Sequence, residues 1–340
     1  MGARRLTVLV LLSVLSTILL SSLLAFGQQD QSAPPPANNS SASAATPAPS
    51  KPAVPDPVPN PGATLLPDLK PDAAGGLSQE QMRNLFRVVA EKDSANDKRL
   101  RDYTYVEREV ENKLDGKGQT KSVEVKTFEI LEIYGEPVRR MIEKDDKSLD
   151  SGDAAKEEEK IQKIIDKRKN ESEDDRRKRE EKEEKEREDG RKFVQEVADA
   201  YDFKLVGTEL VSGREAWVID GEPRPGYEPK MKEAKFLPKF HGRVWIDKGD
   251  LQLAKLDIEA IDTVSVGWVL ARIHKGSRLM LEQTRVNDEV WLPRHVTFKF
   301  DARVALFKGY NLDSDQEYRD CKKFRSSAKI VDMGDVKVRK

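Results

Sequence analysis

The sequence predicts an α+β fold, an antiparallel sheet with amphipathic helices laid on its apolar face. Two patterns carry that expectation. In the first, Val296, Phe298, Phe300, Ala302, Val304 and Leu306 alternate with His295, Thr297, Lys299, Asp301 and Arg303. A period of two sends the apolar set to one side of a strand and the polar set to the other. Leu256, Ile258 and Ala260 alternate with Lys255, Asp257 and Glu259 in the same way. Turn residues punctuate the strands at Lys248-Gly249-Asp250, Lys275-Gly276-Ser277 and Asn287-Asp288. The stretch 241–306 therefore reads as an antiparallel meander with one dry and one wet face. In the second, Met82, Leu85, Phe86 and Val89, and again Phe193, Val194, Val197, Ala198 and Tyr201, recur at helical spacing. Each set makes one apolar stripe able to cover a sheet.

Composition limits how much of the chain is core. Of 340 residues, 36% are charged and 37% hydrophobic, and the net charge is −1. The balance gives no global bias toward nucleic acid or an anionic membrane. The single cysteine, Cys321, excludes an internal disulfide and a cysteine-based zinc site, and reads as a half-buried thiol.

In chain order, Arg4 and Arg5 precede an uncharged run from Leu6 to Phe26, and Ala25-Phe26-Gly27 offers small residues before a cut. That is the layout of a signal peptide over 1–27, cleaved before Gln28, with a retained anchor as the alternative. No cysteine follows the run, so lipidation there is excluded. Residues 28–76 are rich in Pro, Ala, Ser and Asn and read as a disordered tether. The folded part, 77–325, opens with a helix. Ser78 and Gln81 have capping-box spacing, and Leu77 and Met82 have staple spacing.

Strands begin near Asp102 and turn at Asp115-Gly116-Lys117-Gly118, which lacks the further glycine and apolar helix of a phosphate loop. Val123, Val125, Leu131 and Ile133 share one parity while Phe128 and Ile130 take the other, which predicts a bulge or a strand apolar on both faces. A third strand covers 138–142. From 153 to 192 the chain becomes a charged insertion; between 154 and 192, thirty of 39 residues are charged. It predicts a long solvated helix, broken near 170–173, with little packing. Its mixed signs exclude RNA binding, and it lacks the seam of a coiled coil. A hairpin over 203–219 turns at Ser212-Gly213, a proline-rich crossing leads to the meander, and a last strand runs over 311–324. A basic tail covers 326–340.

No catalytic constellation is present. There is neither a Gly-x-Ser-x-Gly elbow nor a His-Glu-x-x-His motif. His241, His274 and His295 lie far apart and read as surface or turn residues, not metal ligands. Asp247/Asp250 and Asp257/Glu259 read as ordinary turn and strand carboxylates. The expectation is a binding protein without cofactor or metal, not an enzyme.

Gly242-Arg243-Val244-Trp245-Ile246-Asp247, then Leu253-Ala254-Lys255-Leu256, then Val286-Asn287-Asp288-Glu289-Val290-Trp291-Leu292-Pro293 resemble the outer-membrane lipoprotein-sorting family of the LolA and RseB type. The resemblance covers 77–324 apart from the charged insertion, which a compact carrier lacks. It implies a strongly curved antiparallel half-barrel whose concave side is covered by helices, with an apolar cavity between them that takes acyl chains. It also implies a periplasmic or secreted protein whose partners are lipid acyl chains, a lipoprotein or an envelope protein. The candidate cavity residues are Trp245, Val264, Val266, Trp268, Leu270, Trp291, Phe298 and Phe300. Within 264–273 the apolar residues occupy both parities, the pattern of a buried strand or of an apolar lip over the cavity. The alternative function is a non-enzymatic interaction or regulatory protein of the same fold, with the charged helix as its partner surface.

Overall fold

The computed structural model describes residues 69–115, 118–266, 271–304 and 308–324. The expected signal peptide, most of the expected tether, the tail 326–340, Trp268 and Leu270 lie outside the described residues. In order, the elements are β1 (Gly76–Leu77), α1 (Gln79–Leu100), β2 (Tyr103–Leu114), β3 (Thr120–Ile133), β4 (Glu136–Lys144), β5 (Lys147–Ser148), α2 (Ser151–Lys169), α3 (Glu173–Ala200), β6 (Tyr201–Val211), β7 (Arg214–Pro223), β8 (Phe240–Asp247), β9 (Leu253–Ala260), β10 (Val264–Val266), β11 (Ala271–Ile273), β12 (Arg278–Val286), β13 (Val290–Val304) and β14 (Lys308–Lys323). All described strands belong to one antiparallel sheet, ordered β1-β6-β7-β8-β9-β12-β13-β14-β2-β3-β4-β5 and not closed into a barrel. The short β10–β11 hairpin joins it by pairing β11 with the end of β13.

The first helix starts where its capping chemistry requires. Ser78 accepts from the Gln81 amide, and the Gln81 side chain accepts from the Ser78 amide, so two otherwise orphaned donors are satisfied. Helix α1 then crosses the sheet. Gln79 donates to the Tyr201 carbonyl on β6, and Asn96 bonds Trp291 on β13. Seventeen residues of helix rise about 25 Å. The five strand spacings from β6 to β13 cover about 24 Å. One helix therefore spans the strands between these anchors. Its Met82, Leu85 and Phe86 are buried, with the Phe86 ring edge-on to Phe203 at 5.4 Å. The C-terminal half of α3 lies beside α1 and adds Phe193 and Ala198 to the same cluster. Buried Glu196 fixes it by accepting the Lys230 and Met231 amides from the crossing.

The turns follow from local chemistry. Ser212 and Gly213 both take positive φ, the conformation that a two-residue hairpin between right-twisted strands requires. Asn287 and Asp288 do the same between β12 and β13. Of the two alternatives for β3, the strand is apolar on both faces: Ile130 packs with Tyr105, Ile133 packs with Ile161 and Ile165, and the extra residue at the shift between β3 and β4 is Ile142 of β4.

Two expectations change. The ordered chain begins ahead of residue 77: Asp72 accepts the Ala74 and Gly76 amides, and Gly76 and Leu77 pair with β6. The charged insertion is broken where expected, with Asn170 ending α2 and Ser172 capping α3, but it packs more than its composition suggests. Ile161 and Ile165 are buried against Ile133 and Val138. Arg168 holds Glu136 through two 2.6 Å contacts, and Glu157 accepts the Met141 amide. Three isoleucines at i, i+3 and i+4 suffice for one seam. Strand parity puts that seam on the opposite side of β3 and β4 from α1. Along the insertion, Glu159–Lys163 and Glu183–Arg187 form i,i+4 ion pairs, and Arg179 holds Glu171 and Glu183.

Candidate functional site

The candidate site is the sheet face under α1 and α3, called the inner face here. Antiparallel pairing places directly opposed residues on the same side of a sheet. One row across the sheet therefore runs Ile258, Leu279, Phe298, Ser314, Glu111, Glu124. The next runs Val244, Leu256, Leu281, Val296, Gln316, Glu109, Lys126. Both rows are aliphatic or aromatic from β8 or β9 to β13. Both become polar at β14 and ionic at β2. The inner face is thus an apolar floor with a polar wall.

The floor belongs to the large cluster that includes Met82, Leu85 and Phe86 of α1 and Phe193 of α3. Phe298, Phe300 and Val264 lie in it, and the Phe298 and Phe300 rings sit 6.3 Å apart. Val266 sits in β10, opposite Ala271. Trp245 and Trp291 are elsewhere, which corrects the expectation that they share a lining with Phe298. They pack with Val211, Ala216, Val218 and Ala254 in a separate cluster. On β7, Ala216 and Val218 belong to that cluster while Trp217 and Ile219 belong to the inner one, so the two clusters occupy opposite sides. Each of these indoles is also tied down: Trp245 Nε1 donates to Glu209 at 2.8 Å, and Trp291 Nε1 to Asp250 at 2.9 Å. The tryptophan that does pack on the inner cluster is Trp217, which sequence reasoning missed. Its strand also carries apolar residues on the other parity, so alternation alone could not orient it.

The wall was missed as well. Its signal is a Tyr-x-Tyr-x-Glu-x-Glu-x-Glu alternation from Tyr103 to Glu111, which reads as a strand turning wet. Instead it stays largely covered. Glu107 is buried, and Arg139 of β4 donates to it at 2.6 Å and to Glu109 at 2.9 Å. The same guanidinium lies 3.9 Å above the Phe128 ring. Tyr318 donates to Gln316, and Gln316 donates to Glu109 at 2.8 Å. Lys113 and Lys126 both go to Glu124. Burial pushes the Glu107 carboxyl up to about 7; Arg139 opposes the rise and Glu109 adds to it. Burial also raises Glu111, with Glu109 contributing.

The Glu107 shift sets a sign for stability. Ionising this carboxyl is harder in the folded than in the unfolded chain. Its contribution is therefore fully present below about 4.5, the ordinary value, and lost as pH rises through about 7. Glu107→Gln should flatten that part of the profile, so the variant gains on the wild type between pH 5 and pH 8 in urea melts. A difference that stays constant over this window would refute the assignment.

No protein-family model matches the chain, and no curated protein matches it. Solved structures give remote likenesses. An outer membrane lipoprotein-sorting protein domain from Vibrio parahaemolyticus is 11% identical, covers 72% of this chain and 93% of its own, and has a TM-score of 0.29. A LolA superfamily protein from Nitrosomonas europaea is 9% identical over 72% of this chain and 94% of its own, with a TM-score of 0.24. MucB in complex with MucA is 12% identical over 70% and 94%, with a TM-score of 0.21. Among the described residues no group of three or more His, Cys, Asp or Glu side chains could hold a metal ion, and no helix is long and apolar enough to cross a membrane.

Proposed function

We propose that this chain is an exported envelope protein that holds the acyl chains of a lipid or lipoprotein on its inner face, without catalysis. One observation carries the reading. The apolar rows continue unbroken from β8 and β9 through β12 to β13, under a helix anchored at β6 and β13 and beside the paired strands β10 and β11. Apolar contact is nondirectional, so such a floor selects for length rather than for a pattern of polar groups.

The test is a titration of the full chain with saturated fatty acids of increasing length, read by tryptophan fluorescence and melting temperature. Each added methylene that is buried contributes about 0.8 kcal/mol, so affinity should rise about fourfold per carbon until the floor is full. Trp217→Phe should remove much of the fluorescence change. Trp245→Phe should leave it, because that indole packs on the other side of the sheet. Binding that ignores chain length, or no binding, rejects the reading and leaves the interaction-protein alternative.

A further inference from the structure

The polar wall contains a place for a charged head. In the row through Phe298, the next two side chains are Ser314 and Glu111. Ser314 is only 2% exposed, and its Oγ has no hydrogen-bond partner. A buried hydroxyl without a partner carries the full cost of its desolvation unless something else supplies the bond. Strand parity points it to the same side as Leu312, which belongs to the apolar cluster, and Gln316, which serves Glu109. Opposite it, Glu111 makes no hydrogen bond or ion pair among the described residues, although its neighbours are paired. Glu107 and Glu109 share Arg139, and Glu124 holds Lys113 and Lys126. Along β2, Glu107 and Glu109 thus share one guanidinium, while Lys113 and Lys126, which bond Glu124, reach Glu111 only through their charge.

The geometry points to an amphiphile with a protonated amine in its head, which sits between Ser314 Oγ and the Glu111 carboxylate while its chain runs over Phe298 and Leu279. An ammonium brings the donors that both oxygens lack, and its charge matches the unpaired carboxylate. A carboxylate or sulfate head would meet Glu111 as a like charge. A sugar head could donate to both oxygens but brings no positive charge to set against Glu111. This inference rests on the apolar face taking an alkyl chain, and it adds the chemistry of the other end.

The experiment uses the full chain and three probes of one chain length, dodecylammonium, dodecyl maltoside and dodecanoate, each below its micelle concentration. The wild type should bind dodecylammonium roughly tenfold more tightly than the other two, the size expected of a hydrogen-bonded charge pair. Glu111→Gln should erase that preference, bringing dodecylammonium down to the affinity of dodecyl maltoside for the same variant. Ser314→Ala, which leaves the carboxylate in place, should reduce the preference in part and serves if the first variant melts early. Equal binding of all three heads, with affinity for the saturated fatty-acid series still rising with chain length, overturns the amine assignment and leaves the acyl-chain reading standing. Tightest binding of dodecanoate overturns it too. No binding that grows with chain length takes both down.

Discussion

Replacing Phe298 by alanine should lower the stability of the folded chain by about 3–5 kcal/mol, the range for deleting a buried aromatic ring whose neighbours cannot collapse into the gap. The ring sits mid-strand on β13, flanked in register by Leu279 and Ser314 and beside the ring of Phe300. Strands on both sides hold its surroundings through ladder bonds, so relaxation is restricted. Lys299 is one residue on, exposed, and on the other parity. Lys299→Ala should change stability by less than about 0.5 kcal/mol. Urea unfolding of both variants, with slopes compared, decides the matter. Equal losses at the two positions would mean that the register of β13 is wrong.

Asn96→Ala should cost about 2–4 kcal/mol, although it removes only one small polar side chain. The Asn96 amide donates to the Trp291 carbonyl at 2.8 Å, and its oxygen accepts the Trp291 amide at 2.7 Å. At this point β14 has not yet begun to pair with β13, so the side chain does what a neighbouring strand would do. Alanine leaves two buried backbone groups unpaired, each costing about 1–3 kcal/mol. It also frees the C-terminal end of α1 from the sheet. Asn96→Asp keeps the acceptor but sets a charge against the carbonyl, so it should lose at least as much. Hydrogen exchange at the Trp291 amide should accelerate in both variants before global unfolding does. An unchanged exchange rate would show that Trp291 is protected by something other than Asn96.

What the sequence disclosed was local in origin. The alternation of β9 and β13, the capping box at Ser78, the turns at 212–213 and 287–288, and the break at 170–173 each follow from residues within a few positions of one another. What it hid depends on pairing across the chain or on a change of parity. The register of β8 shifts between Trp245 and Ile246, and that of β12 between Glu282 and Gln283. Such shifts break the link between sequence position and sheet face on the strand that carries the extra residue. Trp245 needs no shift to face away: it alternates with Val244 and Ile246, which belong to the inner cluster. The carboxylates of β2 could be placed beside Phe298 only through β14, whose pairing no short pattern announces. Ile161 and Ile165 stood out as rare apolar residues, but their partners Ile133 and Val138 lie in another element.

The junction between β14 and β2 also governs how the molecule can assemble in time. Asn311 pairs with Leu114, so this contact closes a loop of about 200 residues. The β6–β7 connection closes one of two residues. Closure entropy grows by about 0.6 kcal/mol for each doubling of loop length, so β14 must overcome roughly 4 kcal/mol more than a simple hairpin. Pairings of such separation form late and slowly. Before β14 arrives, β13 and β2 are both strand edges, one of them carrying Phe298 and Phe300. Such bare edges invite pairing with another chain. A chain that stopped short of residue 308 would keep the elements on both sides of the junction and lose the one strand that joins them.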